Sequence, residues 1–438
     1  MSFNFVVSNK IRTFATKSKY MEKELFRTII AESQEYIGRI HLVQRPLNLE
    51  EYGNYVFVGV RQAGKSYLLY QRIQQLLANG VDIEDIVYIN FDDERLQGMS
   101  VTDLDFILQA YHSIYEGQPI FFFDEIQNVE GWANFARRLA NQKYRVYITG
   151  SNAKMLSRDI ETVLGGRYLD NSVFPYSFSE YLKAVEVLLS KNWQYGRKAN
   201  ELQRHFRTYF DWGGFPELVH FQEKRIWLNS LYNRIFFNDL VVRHKIKNED
   251  ALRLCVRRLA ESVKQPCSLN RLSNLIKATG TPCSPSTVME YVRYLQESCL
   301  LISIDNYVSK FVEKETIKKH YFVDNGLLHL FINNPNTSLL ENLCAITLYK
   351  KYAKGLYYYN KNIEVDFYVP DEGLAVQASY QMSDGETIER EVKALVALHG
   401  LHPLKRAMII TYEDEGEIVR DGLRIEIKPA WKWVLEGL

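Results

Sequence analysis

Cysteine is scarce in this chain: five among 438 residues, at 255, 267, 283, 299 and 344. The number is odd and no two lie at close paired spacing, which argues against a disulfide framework and against a zinc site. These thiols read as reduced core or surface groups. Net charge is also missing, because Lys+Arg 54 against Asp+Glu 53 leaves +1. No global field therefore draws the chain to nucleic acid or to an anionic membrane, and any basic patch must be local. No run of about 18 apolar residues appears, as a membrane-crossing helix would need. The start, Met1-Ser2-Phe3-Asn4-Phe5-Val6-Val7, is too short for the apolar region of a secretory signal, so a cytoplasmic setting without membrane association is expected. Internal repeats and low-complexity tracts are absent too. A chain of this length is expected to hold two to four domains.

Against this plain background one octapeptide stands out. Gly59-Val60-Arg61-Gln62-Ala63-Gly64-Lys65-Ser66 fits G-x-x-x-x-G-K-[ST], a loop that cradles nucleotide phosphates. The apolar run Tyr55-Val56-Phe57-Val58 precedes it as a buried strand would. Tyr67 to Leu77 follows with Leu69, Ile73, Leu76 and Leu77 at helical spacing. In such a loop the backbone amides and the helix N-terminus point positive charge at the phosphates, Lys65 adds a full charge, and the Ser66 hydroxyl is placed to ligate magnesium. Gly59, Arg61, Gln62, Ala63, Gly64, Lys65, Ser66 and Tyr67 are thus the candidate ATP contacts.

A second signal lies downstream. Pro119-Ile120-Phe121-Phe122-Phe123 is a continuous apolar run, expected of a central parallel strand, and it ends in Asp124-Glu125. Asp124 would hold the magnesium shell and Glu125 would orient and deprotonate the attacking water. The alternative is that the pair caps a helix beginning near Asn128 to Trp132. A third strand, Arg145-Val146-Tyr147-Ile148, ends in Thr149-Gly150-Ser151-Asn152, where Asn152 is a candidate to sense the terminal phosphate; the same tetrapeptide is also good turn chemistry. Ile86 to Asn90 adds another strand ending in charge. The expected core is a parallel α/β sheet of the P-loop NTPase type with polar residues collected at its carboxyl ends.

The segments Gly59 to Ser66, Asn90-Phe91-Asp92-Asp93-Glu94-Arg95-Leu96, Phe123-Asp124-Glu125-Ile126-Gln127, Thr149-Gly150-Ser151-Asn152, Gly165-Gly166-Arg167 and Pro175-Tyr176-Ser177-Phe178-Ser179-Glu180-Tyr181 together resemble the prokaryotic AAA+-type ATPases that carry an uncharacterised C-terminal domain. The resemblance continues through Gly213-Gly214-Phe215-Pro216-Glu217, Tyr321-Phe322-Val323-Asp324-Asn325-Gly326-Leu327 and Glu364-Val365-Asp366-Phe367. It implies ATP binding and hydrolysis, not a pathway. Arg167 is similar to the family's Gly-Arg position, and is a candidate γ-phosphate sensor or a finger toward a neighbouring subunit; a solvated surface arginine is the competing reading.

The expected organisation is a P-loop domain with a helical lead over 1–174, a helical lid or linker over 175–245, a winged helix-turn-helix over 246–325 and a small α/β module over 326–438. In the third segment Ser284-Pro285 starts the helix that would read DNA, with a contact face of Arg293, Lys277, Arg271 and Lys310 that is only moderately basic. Such folds also mediate protein contacts. The last segment resembles the restriction-endonuclease-like fold, with Glu341 and Asp366 matching two acids. Gln377 stands where the next acid belongs and Ser379 where the lysine belongs, so the nuclease site reads as dead. Two functions follow: an ATPase that switches or remodels a protein or nucleic-acid partner, or a nucleotide-regulated binding protein with negligible turnover. An unidentified protein partner is expected, with DNA and self-association left open.

Overall fold

The computed structural model describes residues 23–151, 163–382 and 385–437. The chain divides into two compact units, one of residues 1–59 and 64–173, the other of residues 60–63 and 174–438.

The first unit opens with helix α1 (23–37). It continues with β1 (Asn54–Val58), α2 (Lys65–Ala78), β2 (Ile86–Asn90), α3 (Asp105–Tyr111), β3 (Ile120–Asp124), α4 (Trp132–Asn141), β4 (Arg145–Gly150) and β5 (Tyr168–Ser172). Strand order is β2-β3-β4-β1-β5, and every adjacent pair is parallel. The parallel α/β core expected from the apolar runs is therefore present. β3 is buried along its whole length, Ile120 to Asp124, as a strand covered on both faces must be. Helix α2 turns Leu68, Leu69, Ile73 and Leu76 inward; the helical spacing predicts Leu69, Ile73 and Leu76, whereas Leu77 is only half-buried and Leu68 packs in addition. β4 lies between the loop strand β1 and the acidic strand β3. Three polar tips thus line up along one edge of the sheet. Gly59 has a steric reason to be glycine, since a Cβ there would stand 2.0 Å from the Val173 carbonyl oxygen.

The second unit begins with α5 (Phe178–Ala184), α6 (Gly196–Trp212) and α7 (Lys224–Arg234), which runs into a π-helix over Ile235–Val242. It goes on with α8 (Glu249–Glu261), β6 (Cys267–Ser268), α9 (Leu269–Lys277), α10 (Pro285–Glu297), β7 (Leu301–Asn306), α11 (Phe311–Thr316) and β8 (Ile317–Phe322). Then come α12 (Asn325–His329), α13 (Asn336–Tyr352), β9 (Tyr357–Asn360), β10 (Glu364–Val369), β11 (Leu374–Ala378), α14 (Gly385–Leu401), β12 (Arg406–Thr411), β13 (Gly416–Arg420), β14 (Leu423–Pro429) and α15 (Ala430–Glu436). Ser284 caps α10 by accepting from the Thr287 amide at 3.1 Å, the serine-proline start legible in the sequence.

One nine-stranded sheet, β13-β14-β12-β11-β10-β9-β7-β8-β6, runs through this unit. It is joined at its middle by the parallel pair β7–β9, with Asp305 opposite Tyr357 and Asn306 opposite Tyr358. The Gly213-Gly214 break has a partner on the far side of the sequence. Buried Asp324 accepts from the amides of Gly214 and Gly326, both at 2.8 Å, and a Cβ at Gly213 would fall 1.9 Å from its carboxylate. Burial pushes the Asp324 carboxyl up to about 6, with those amides pulling the other way. All five cysteines are free, four of them buried. Among the described residues no helix is long and apolar enough to cross a membrane.

Candidate nucleotide site

The site is built in the first unit where three strands end. After β1 the chain makes its loop and enters α2 at Lys65. The Lys65 side chain is only 4% exposed, and its Nζ lies 3.2 Å from the Gly59 carbonyl and 3.5 Å from Glu125 Oε1. An ammonium so enclosed is held at one point instead of ranging through solvent. It stands beside Glu125, so the loop charge and the acid meet across the sheet edge.

At the end of β3, Asp124 is 1% exposed. Burial drives its carboxyl upward and the neighbouring Glu125 adds to this, while hydrogen bonds from Ser66, Thr149 and Tyr88 oppose the rise. Thr149 at the tip of β4 donates to Asp124 Oδ1, and Tyr88 on β2 donates to Oδ2 at 2.8 Å. Thr149 Oγ1 also accepts from the Glu125 amide at 3.0 Å. One hydroxyl therefore fixes both acids. Glu125 sits at φ 52, a left-handed conformation that costs a non-glycine residue free energy and is retained where surroundings impose it. Its Oε2 accepts from Gln127 Nε2.

The reading of Asp124 and Glu125 as helix caps does not hold. α4 starts at Trp132 with Gly131 in the capping position, and the turn over Ile126–Asn128 receives no side-chain hydrogen bond from Glu125.

Ser66 and Asp124 are brought together as expected of residues that share a magnesium shell. Hydroxyl and carboxylate oxygens suit this cation, which is held by one or two carboxylates together with substrate phosphates and water. Among the described residues no group of three His, Cys, Asp or Glu is arranged as a metal site, and the donor set at Ser66 and Asp124 does not require one. Ala63 is fully buried and Tyr67 is 52% exposed, its ring edge-on to Tyr70. Arg61 and Gln62 belong to the second unit, where the Arg61 guanidinium grips Asp239 through two 3.0 Å contacts and Gln62 Nε2 reaches Glu217 at 3.3 Å. Arg167 is exposed and bonds Asn141 at 2.6 Å and the carbonyls of Leu164 and Gly165, all outside the Lys65–Asp124–Glu125 group. Asn152 lies outside the described residues.

Tyr88 escaped sequence reasoning. A tyrosine inside the strand Ile86-Val87-Tyr88-Ile89 must place its hydroxyl somewhere, and that demand was the available signal.

In the second unit a cavity of about 1190 Å³ is lined by Glu341, Glu364, Asp366, Gln377 and Arg390, among others. The expected gap at Ser379 is offset from elsewhere. Lys319 of β8, fully buried, puts its Nζ 2.9 Å from Asp366, 3.1 Å from Glu341 and 3.4 Å from Glu364. Burial would lower the Lys319 pKa, but the three carboxylates outweigh it and hold the ammonium above its ordinary range. Gln377 is spent on the neighbouring strand, accepting from the Asp366 amide at 2.8 Å and donating to the Glu364 carbonyl at 3.1 Å. Ser379 donates to the Gln381 carbonyl.

A loop of the phosphate-binding pattern, a buried Asp124 followed by a half-buried Glu125 at the end of β3, and an inserted strand whose threonine ties those acids together are the features of a P-loop domain of the AAA type. Residues 51–182 match the family model described as AAA domain, and residues 203–338 match a domain of unknown function. An uncharacterized protein of Methanocaldococcus jannaschii, MJ1544, is 31% identical over 445 residues, covering 97% of this chain and 98% of that protein. The chain belongs to the same family as that protein. An uncharacterized protein of Haemophilus influenzae is 29% identical over 87% of this chain and 94% of its own length. Among solved structures, a Walker-type ATPase of Pyrococcus abyssi aligns with a TM-score of 0.40 at 12% identity, over 64% of this chain and 91% of that one.

Proposed function

We propose that the protein is a magnesium-dependent ATPase whose hydrolysis switches or remodels a partner held by its C-terminal half. The observation that carries this reading is the convergence of Lys65, Ser66, Asp124, Glu125 and Thr149 at one edge of the parallel sheet. In this reading Lys65 and the loop amides hold the phosphates, and Ser66 with Asp124 holds magnesium, which when bound neutralises charge on the phosphate oxygens. Glu125 accepts a proton from the attacking water. Thr149 keeps the two acids in register. Arg167, bonded to Asn141 and to its own loop, is assigned to a neighbouring subunit's phosphate, and Asn152 to the sensing position after β4.

For the partner, α10 exposes Met289, Glu290 and Arg293, and Arg293 lies 3.7 Å from Glu297. Arg271, Lys277 and Lys310 are exposed as well, so the face is moderately basic; in a chain of net charge +1 this favours a protein partner over DNA, because phosphate contacts dominate DNA affinity.

Glu125→Gln tests the reading directly. The substitution keeps shape and removes the base, so ATP affinity by calorimetry should stay near wild type while turnover falls by about 10²-fold or more. Wild-type binding without turnover would instead support the nucleotide-regulated binding protein, and turnover surviving in Glu125→Gln would remove Glu125 from the chemistry.

The second cavity is proposed as a recognition module without nuclease activity. Lys319 occupies the point on which its carboxylates converge, and the Gln377 amide faces strand backbone. No cleavage of single- or double-stranded DNA is expected with manganese and ATP present. A cleavage signal that vanished in Asp366→Ala would overturn this and make the protein an ATP-regulated nuclease.

A further inference from the structure

We propose that Tyr88, backed by Tyr70, is a positioning residue that sets how well Asp124 holds magnesium; the proposal rests on the nucleotide-site reading above. Asp124 lies at the end of β3 with its carboxylate removed from solvent. A buried carboxylate needs hydrogen-bond donors on its oxygens, or its desolvation is left uncompensated. Thr149 serves Oδ1. Oδ2 is served by the Tyr88 hydroxyl at 2.8 Å, and Tyr88 is itself a receiver, accepting from the Tyr70 hydroxyl at 2.9 Å.

The two tyrosines come from different elements. Tyr88 is on β2, whose register with β3 sets Tyr88 beside Phe122 and Asn90 beside Asp124. Tyr70 is on α2, one turn beyond Ser66. The rings pack with centroids 5.0 Å apart. A chain of hydroxyls therefore leaves the helix that carries Ser66, crosses to β2 and ends on the carboxylate that Ser66 also bonds. Two routes, one direct and one through the tyrosines, tie the loop helix to the acidic strand.

Each hydroxyl donates to the next, so polarisation accumulates toward Asp124. With Tyr88 in place, the Asp124 carboxylate is pinned at both oxygens, and its remaining lone pairs are presented in one direction. Without that hydroxyl Oδ2 lacks this donor, and the carboxylate, held by Thr149 and Ser66 alone, turns more widely about its Cβ–Cγ bond. The group that would hold magnesium then spends part of its time misdirected. Tyr88 touches neither nucleotide nor water in this scheme; it acts through Asp124.

The test is ATP binding followed by calorimetry at stepped magnesium concentrations, with manganese binding read by electron paramagnetic resonance as a measurement independent of turnover. Tyr88→Phe keeps the ring and removes one hydroxyl. Loss of a hydrogen bond to a charged group predicts a rise of about tenfold in the half-saturating magnesium or manganese concentration, with ATP affinity in the absence of metal within about twofold of wild type. Tyr70→Phe, one step further away, should give a smaller rise of about threefold. It also keeps the proposal testable if the Tyr88 variant folds poorly, which its thermal midpoint will show. Unchanged metal half-saturation in both variants would refute the positioning role. So would an equal loss of metal-free ATP affinity, which marks a general packing defect. If wild-type protein shows no metal-dependent ATP binding, the nucleotide-site reading itself fails; if it binds and only the tyrosine variants are silent, this inference alone fails.

Discussion

Lys65→Ala is expected to weaken ATP binding by between about 30-fold and several thousandfold, the range given by 2–5 kcal/mol for truncating one partner of a buried charged contact at about 1.4 kcal/mol per decade. The expectation rests on where the ammonium stands. Its side chain is almost fully enclosed, and it lies between the Gly59 carbonyl and the Glu125 carboxylate. Truncation removes the charge that would face the phosphates. It also removes the ammonium that stands against the Glu125 carboxylate, so an arriving polyphosphate meets more of that acid's repulsion. The fold should tolerate the change, because the sheet and the α2 face of Leu68, Leu69 and Ile73 do not depend on it. Calorimetry of ATP binding with the thermal midpoint as control separates the two effects. An ATP affinity equal to that of wild type would remove the loop from nucleotide binding altogether.

What the sequence revealed and what it hid follow from the range of the interactions involved. The loop, its strand and its helix are contiguous, and the requirements of each residue are local, so Gly59 to Ser66 could be read in order. Asp124 and Glu125 were legible because a fully buried strand that ends in two acids needs a reason. Thr149 was visible as a polar tip but not as the hydroxyl that binds both acids. That role depends on β4 lying between β1 and β3, and strand order is not written in any one segment. Tyr88 depends on register in the same way. A slip of one residue between β2 and β3 would send its hydroxyl to the other face of the sheet.

Lys319 shows the limit more sharply. A fixed motif prescribes an ammonium two residues after Gln377, where Ser379 stands. The ammonium that reaches Asp366 comes from 47 positions earlier, on a strand separated from β10 by β7 and β9. Side chains of a twisted sheet can converge without sharing an element or a neighbour, and only the assembled sheet shows it. The nine-stranded sheet itself passes across residue 325 without a break, held by the β7–β9 pair that no turn signal announces.

Lys319→Met should destabilise the second unit by about 3–5 kcal/mol, the usual cost of removing one partner from a buried ion pair. Methionine fills a similar volume, so the loss comes from charge and not from a cavity. Three carboxylates converge on this ammonium, and the other cation that acts on Asp366 and Glu364 is Arg390, which is itself paired with Glu391. Tyr321 donates to Glu341 at 2.8 Å and the Ala378 amide to Asp366 at 3.1 Å, but neither carries charge.

The pH dependence of the variant has a definite sign. Burial, then the repulsion of Asp366, already raises the Glu341 carboxyl to about 7, with Lys319 holding it down. Removing the lysine lets it rise further. An acid whose folded pKa exceeds its unfolded value, about 4.3 for Glu, binds more protons when folded, so stability falls as pH climbs between those two values. Lys319→Met should therefore lie closest to wild type in mild acid and fall away steadily through neutrality. Adding Glu341→Gln and Asp366→Asn to Lys319→Met should restore much of the loss, because a neutral hydrogen-bonded cluster no longer needs a counter-charge. Urea titrations across the pH series, followed by a signal from the second unit, measure both effects. A Lys319→Met protein as stable as wild type at neutral pH, with no slope against pH, would show that the ammonium does not neutralise the cluster and that the carboxylates are balanced from elsewhere.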